Sequence, residues 1–369
     1  MANGVAATSG GRDPTGPVKV MVVDDSAVVR GLISRWLSEL PGIRVVSGQH
    51  NGKAAVEAMS RVDPDVVILD IEMPEMDGLT ALPLLLKKKP SLAVIMASTL
   101  TRRNAEVSLR AMALGARDYI AKPDGSQGLA AQHTFRRELG EKVAGLGRAS
   151  RAAHVDPDPA PARPEAAIAL WPASRTRPRV LAIGSSTGGP PALLQVIQAL
   201  GAAIDNVPIL IAQHMPPTFT AIMAEQLGRT AGRPAKEAAQ GDLLRPGHIY
   251  VAPGNCHLYV DHPQAPTACL DDGPPVNYCR PAVDPLFESV ARIYGPAALA
   301  LVLTGMGSDG TVGANAIADQ GGTVIAQDEA SSVVWGMPGS AARSGACAAV
   351  LPLSELGERL ASIIGGRRP

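Results

Sequence analysis

A chain of 369 residues is long enough for two domains, and its 46% apolar and 18% charged content permits sizeable cores. Lys plus Arg and Asp plus Glu balance at 34 each, so nothing electrostatic favours nucleic acid or an anionic membrane, and 3% aromatics argues against single-strand stacking platforms. No apolar run reaches the roughly 18 residues of a membrane span.

Residues 1–17 are polar and Gly-rich without an apolar signal core, and read as a disordered tail. From Val18, short apolar runs alternate with helical patterns. Val18–Val23 ends in Asp24-Asp25, and Ala27–Leu40 has helical spacing before Pro41-Gly42. Ile43–Val46 is a second run, Asn51–Met59 a helical pattern, and Val66–Leu69 a third run ending at Asp70. Leu92–Ala97 ends at Ser98-Thr99, Arg102–Leu114 is amphipathic, and Asp118–Ile120 precedes Lys122-Pro123. Five strands alternating with helices predict an α/β domain with a doubly wound parallel sheet over 18–139. Residues 140–177 carry Ala, Pro and Arg without periodicity and predict a flexible linker.

Alternation resumes in 178–369, predicting a second parallel α/β domain. Arg179–Ile183 leads through a Gly-rich turn to helical Pro191–Leu200. Val207–Ala212 ends at Gln213-His214, His248–Val251 at Ala-Pro-Gly, and Ala298–Leu303 at Thr304-Gly305-Met306-Gly307. Gly322–Ala326 is a further run and Leu353–Ile364 a closing helix. Cys256, Cys269, Cys279 and Cys347 form no Cys-x-x-Cys pair and read as reduced cytosolic thiols, so a cytoplasmic protein is expected.

In the first domain Asp24, Asp25 and Asp70 end strands, and carboxyl ends of neighbouring parallel strands share one crevice. Each alone reads as a helix cap or a solvated loop residue. Together they would repel one another unless a cation joined them, and an all-oxygen set suits Mg²⁺. Ser98 and Lys122 end strands on the same edge and could bind phosphoryl oxygens. Val-Val-Asp24-Asp25-Ser, Ile-Leu-Asp70-Ile-Glu-Met-Pro-Glu-Met-Asp-Gly, Met-Ala-Ser98 and Tyr119-Ile-Ala-Lys122-Pro123 occur in this order. The domain resembles response-regulator receiver domains, which are flavodoxin-like. The resemblance implies that Asp70 accepts a phosphoryl group and that Asp24, Asp25, Asp70 and the backbone carbonyl of Glu72 help hold Mg²⁺. It makes Ser98, Tyr119 and Lys122 switch residues.

In the second domain Ile-Gly184-Ser185-Ser186-Thr187-Gly188-Gly189-Pro190 reads strand, tight turn, helix. A helix N-terminus there offers N–H groups to an anion. The segment fits neither the Gly-x-Ser-x-Gly elbow nor the dinucleotide or P-loop patterns, and alone it reads as a capping turn. A serine nucleophile needs a base and an orienting acid. Of seven histidines, His214 ends a strand; Asp309, in Leu303-Thr-Gly-Met-Gly-Ser-Asp309-Gly, follows another. Both also read individually as structural hydrogen-bonding or capping residues.

Ile-Gly-x-Ser186-Thr-Gly-Gly, Gln-His214-Met-Pro-Pro, Tyr-Val-Ala-Pro-Gly, Asp-Gly-Pro-Pro-Val-Asn, Leu-Thr-Gly-Met-Gly-x-Asp309-Gly and Val-Trp-Gly-Met-Pro resemble the chemotaxis protein-glutamate methylesterases over nearly all of Arg179 to Ala342. That resemblance implies hydrolysis of glutamate γ-methyl esters, with Ser186 as nucleophile, His214 as base and Asp309 as orienting acid. Met306 matches the backbone oxyanion position, and Thr187 lies beside the nucleophile. Ser185 is an alternative nucleophile if the turn register shifts. Cys279 and Trp335 depart from the common residues at positions expected to lie outside the triad. The family implies a chemotaxis histidine kinase as phosphodonor, methyl-accepting chemoreceptors as substrates and location at receptor arrays. It requires no cofactor for ester chemistry, and some members also deamidate receptor glutamines. Two other readings remain: a docking module without turnover, and a DNA-binding regulator, which neutral charge and the lack of a helix-turn-helix pattern disfavour.

Overall fold

The computed structural model describes residues 16–122, 129–152 and 168–366. Most of the expected N-terminal tail, and 153–167 in the middle of the expected linker, lie outside the described residues.

The first domain contains β1 (Val18–Val23), α1 (Ala27–Ser38), β2 (Ile43–Gln49), α2 (Gly52–Val62), β3 (Val66–Asp70), α3 (Gly78–Lys88), β4 (Ala93–Ser98), α4 (Arg102–Ala113), β5 (Asp118–Ala121) and α5 (Leu129–Ala152). Its parallel sheet runs β2-β1-β3-β4-β5. The buried β3 and β4 read as continuous apolar runs because helices cover both faces. Side-chain oxygens of Ser26, Asn51, Asp77 and Thr101 cap the helices that follow them, each accepting a backbone N–H.

Sequence pattern yields no element between Asp70 and Leu92, yet α3 lies there. Pro83 inside this helix breaks the pattern, while Ala81, Leu82 and Leu85 are buried and hold it on the sheet. A second correction concerns the linker expected over 140–177. Its first part belongs to α5, whose Phe135, Leu139, Val143 and Leu146 form a buried stripe at helical spacing. Ala, Gly and Arg between those positions hide the stripe in the composition. The described end of that stretch is fixed to the second domain: Trp171 N–H donates to Cys347 O at 2.9 Å, Ser174 N–H to Thr323 Oγ1 at 2.9 Å, and Arg177 Nε to Ile364 O at 3.0 Å.

The second domain contains β6 (Val180–Ser185), α6 (Gly189–Leu200), β7 (Ile209–Gln213), α7 (Phe219–Ala231), β8 (Ala235–Glu237), β9 (Ile249–Val251), β10 (His257–Asp261) and β11 (Thr267–Asp271). It continues through α8 (Val283–Tyr294), β12 (Ala298–Val302), α9 (Thr311–Asp319), β13 (Thr323–Gln327), α10 (Met337–Arg343), β14 (Ala349–Leu351) and α11 (Leu353–Ile364). A seven-stranded parallel sheet runs β14-β13-β12-β6-β7-β9-β8, and β10 and β11 form a separate antiparallel hairpin. From β6 the chain winds first toward β7 and later back to β12. That reversal makes the carboxyl end of β6 a topological switch point, where open α/β sheets form their crevice.

Candidate functional site

At the sheet edge of the first domain, Asp24, Asp25 and Asp70 each present a carboxylate oxygen, all within 4.8 Å of one another. Lys122 Nζ is 2.7 Å from both Asp24 Oδ2 and Asp70 Oδ1. Burial pushes the Asp70 carboxyl above its ordinary value, and Lys122 opposes that shift. Asp24 Oδ2 has the lysine as a charged neighbour but no well-directed hydrogen bond. A buried carboxylate oxygen left this way, beside two further carboxylates, fits a hard divalent cation. Glu72 lies in the bend after β3, Ser98 is buried at the end of β4, and Ser108 Oγ donates to Ser98 Oγ at 3.1 Å.

The second cluster forms at the switch point. Ser186 follows β6, His214 follows β7, and Asp309 lies beyond β12 before α9. Ser186 N–H donates to Thr304 O at 3.0 Å and His214 N–H to Ser185 O at 3.1 Å, tying the three strand ends together. Gly188 adopts φ 75°, and a side chain there would strike Val333. Gly189 lies so close to Gln213 that a Cβ would sit 2.1 Å from Oε1. Glycine at these two positions lets the nucleophile turn fold tightly into α6.

Ser185 and Ser186 separate clearly. Ser185 is fully buried and donates to Gln213 Oε1 at 2.6 Å. Gln213 Nε2 in turn donates to Ser186 O at 3.0 Å, bracing the turn. Ser186 is half-buried, and among the described residues its hydroxyl has no hydrogen-bond partner.

His214 Nε2 and Asp309 Oδ2 are 2.7 Å apart. Asp309 is further fixed by N–H donors: Val283 N at 2.6 Å, Asp284 N at 3.2 Å and Asn277 Nδ2 at 3.0 Å. Burial would raise the Asp309 carboxyl, but His214 and these donors outweigh it and hold it down at about 2. Asp284, buried beside Asp309, is pushed up to about 6. Burial favours neutral His214, yet Cys279 and Asp309 together raise it to about 10. Cys279 Sγ lies 3.4 Å from His214 Nδ1, so the position expected outside the triad touches its histidine. Ser186 and His214 are neighbours at adjoining strand ends without a hydrogen bond between their side chains among the described residues. Trp335 Nε1 donates to Gln327 O at 2.9 Å, a structural contact.

Elements of the first domain lie directly over this cluster. A Cβ at Gly145 of α5 would sit 2.5 Å from Met306 Cε. Thr187 Oγ1 donates to Asp118 Oδ2 at 2.6 Å. Tyr119 stacks on Phe219 of α7, with ring centroids 4.3 Å apart, and Arg102 of α4 forms a forked bond to Glu225 at 2.8 and 2.9 Å. Sequence reasoning missed Asp118, Gln213, Asn277 and Asp284 as site residues. Gln213 and Asn277 stand inside the quoted motifs, a usable signal; Asp118 acts across domains and leaves none.

Residues 181–360 match the family model for CheB methylesterase, and residues 20–133 that for the response regulator receiver domain. The chain is 50% identical to the protein-glutamate methylesterase/protein-glutamine glutaminase of group 2 operon of Bradyrhizobium diazoefficiens, covering 98% of each sequence. It is 52% identical to a protein-glutamate methylesterase/protein-glutamine glutaminase of Rhodopseudomonas palustris strain BisB5, covering 95% of each. The crystal structure of the Thermotoga maritima CheB methylesterase catalytic domain is 40% identical, spans 51% of this chain and all of its own, and gives a TM-score of 0.49.

Proposed function

The chain belongs to the protein-glutamate methylesterase/protein-glutamine glutaminase family, a receiver domain followed by a methylesterase domain, and from that premise we propose how its residues divide the work. The enzyme hydrolyses glutamate γ-methyl esters in chemotactic adaptation, yielding glutamate and methanol. Ser186 attacks the ester carbonyl while His214 takes its proton at Nδ1, the nitrogen left over by Asp309. Asp309 fixes the ring and balances the imidazolium charge. The oxyanion is held by backbone N–H groups at Met306 and the Ser186 turn; the Met306 N–H has no hydrogen bond among the described residues. His214 then protonates the departing methoxide and activates the water that releases the acyl group. The same triad can deamidate receptor glutamines.

The observation that carries this reading is the meeting of a free serine hydroxyl and a 2.7 Å His–Asp pair at the switch point of one parallel sheet. Methanol release from methylated receptor membranes tests it: wild-type protein releases methanol and Ser186→Ala does not.

Asp70 is the phospho-acceptor, and Asp24, Asp25, Asp70 and the Glu72 carbonyl are the groups that would hold Mg²⁺. When bound, the ion neutralises the phosphodonor and the carboxylates around the acceptor. Lys122 and Ser98 receive phosphoryl oxygens, and Tyr119 reports the change to α7. The phosphodonor is the chemotaxis histidine kinase; the substrates are methyl-accepting chemoreceptors, at whose cytoplasmic arrays the enzyme works. Unphosphorylated, the receiver covers the ester site through α4, β5 and α5. No described helix is long and apolar enough to cross a membrane.

A further inference from the structure

Three consecutive residues of the methylesterase domain touch the triad and the receiver together. Val276 and Cys279 close a tight turn by N–H···O bonds in both directions, at 3.1 and 2.8 Å. Asn277 and Tyr278 at its tip adopt φ 49° and 63°. Such left-handed backbone costs energy in residues with a side chain and persists where neighbours enforce it. Asn277 Nδ2 donates to Asp309 Oδ1 at 3.0 Å and to Asp284 Oδ2 at 2.9 Å. Cys279 Sγ occupies His214 Nδ1, the nitrogen that has to receive the Ser186 proton. Between them Tyr278 stands 75% exposed, and the Arg137 guanidinium of α5 lies 4.0 Å from its ring centroid. A cation over an aromatic face is attracted by the ring quadrupole.

We propose that the turn 276–279 relays receiver docking to the catalytic base: Arg137 on Tyr278 holds the turn so that Cys279 is a positioning residue keeping His214 Nδ1 from Ser186. This rests on the assignment of His214 as the base. Occlusion by α5 refuses a receptor segment; the relay adds that the docked chain also withholds its base, so even a small serine-directed phosphonylating reagent reacts slowly. The titratable groups facing the ring are Asp309 and Cys279, with Asp284 of α8 behind Asp309. Replacing Cys279 removes one of the groups that keep the ring charged.

The test uses the unphosphorylated full chain and a small alkyl fluorophosphonate. Ser186 Oγ forms the bond to phosphorus, the P–F bond breaks, fluoride leaves, and His214 takes the proton. Rate is followed against pH, with Ser186→Ala as the blank. Cys279→Ala, Tyr278→Ala and Arg137→Ala are each expected to raise the neutral-pH rate several-fold and move the profile to lower pH. Cys279→Ser keeps a hydrogen-bonding group at Nδ1 but not an ionisable one, so its rate is expected below that of Cys279→Ala while its profile moves to lower pH; Arg137→Lys, which keeps the cation, is expected to match wild type in both. Thermal midpoints check folding; if Cys279→Ala does not fold, the Arg137 variants decide. Wild-type rates and unshifted profiles in the alanine variants overturn the relay. A His214→Ala chain that labels as fast as wild type instead overturns the base assignment.

Discussion

The Thr187 hydroxyl donates a 2.6 Å hydrogen bond to Asp118 Oδ2, joining the residue next to the proposed nucleophile to the receiver strand β5. Both partners are buried, at 2% and 4% exposure, so removing either leaves the other short of a buried hydrogen-bond partner in the docked state. Lys142 Nζ lies 3.2 Å from the same carboxylate and donates to Tyr119 O at 2.6 Å. Burial alone would lower the Lys142 ammonium; Asp118 and Glu138 outweigh it and keep it charged. Asp118, Tyr119 and Lys122 share one short segment, so a movement of Lys122, the proposed phosphoryl sensor, would reach the interface through backbone.

Asp118→Ala in the full chain is therefore expected to raise unphosphorylated ester hydrolysis. Losing one partner of a buried hydrogen bond costs about 1–3 kcal/mol. If the docked state bears that cost, the open population rises roughly 5- to 150-fold. Methanol release from a soluble methylated receptor fragment, without phosphodonor, measures the change. An unchanged basal rate in a folded variant means that Thr187 and Asp118 do not gate the site. The exposed Arg102–Glu225 pair is expected to matter less, being screened by solvent.

The adjacent serines make opposite predictions. Ser186→Ala should remove methanol release, by on the order of 10⁴- to 10⁶-fold as for other triad nucleophiles, with the melting temperature preserved. Ser185→Ala should lose stability instead, by about 1–3 kcal/mol, because Gln213 Oε1 is left without its buried donor. Turnover and thermal melting of both variants separate the roles; near-normal turnover in Ser186→Ala would reassign the nucleophile.

How much of this is legible in sequence depends on whether a residue acts within a local pattern. Asp24, Asp70, Ser98 and Lys122 are readable because strand ends on one parallel edge must meet. Ser186, His214 and Asp309 follow by the same rule from β6, β7 and β12. The rule fails where chemistry is assembled across long separations. Cys279 sits in a turn far from His214 in the chain, so its thiol looks peripheral until the fold brings the two within 3.4 Å. Asp118 looks like an ordinary strand-end acid, since its partner Thr187 lies in another domain. Helix α5 is hidden because an apolar residue every third or fourth position is enough to bury it, and Ala, Gly and Arg fill the rest.

The His214–Asp309 pair sets a pH window for stability. Asp309 is held below its ordinary 3.8, at about 2, so its contribution is complete above pH 3.8 and is lost as pH falls through 2. His214 is raised from 6.5 to about 10 by Cys279 and Asp309 together, so its contribution is complete below pH 6.5 and is lost as pH rises through 10, and Asp309→Asn removes only the carboxylate's share. Both operate in full between about pH 4 and 6.5. The melting-temperature gap between wild type and Asp309→Asn should be widest there and narrow on both sides. A gap that keeps widening toward pH 9 contradicts a raised histidine.

Phosphorylation is the remaining step, and the acidic pocket and the interface constrain it together. Three carboxylates within 4.8 Å repel an incoming phosphodonor unless a cation offsets them, and Lys122 supplies a single positive charge. Asp70 is therefore expected to take up phosphoryl from acetyl phosphate with Mg²⁺ and not in excess chelator, and Asp70→Asn not at all. In the proposed switch the new phosphoryl oxygens would compete for Lys122 and Ser98, and β5 would carry that competition to Tyr119 and Asp118 at the interface. Phosphorylation can shift the docked–open equilibrium only by its differential stabilisation of the two states. A fragment beginning near Arg175 has no receiver to release, so it should hydrolyse the soluble methylated substrate faster than the unphosphorylated full chain and ignore phosphodonor. Acetyl phosphate with Mg²⁺ should raise the full chain toward the fragment's rate, and Asp70→Asn should abolish that rise. If the folded fragment is no faster than the unphosphorylated full chain, covering the site is not how the receiver restrains it. The receiver would then act by activating the ester site directly or by bringing it to the receptor.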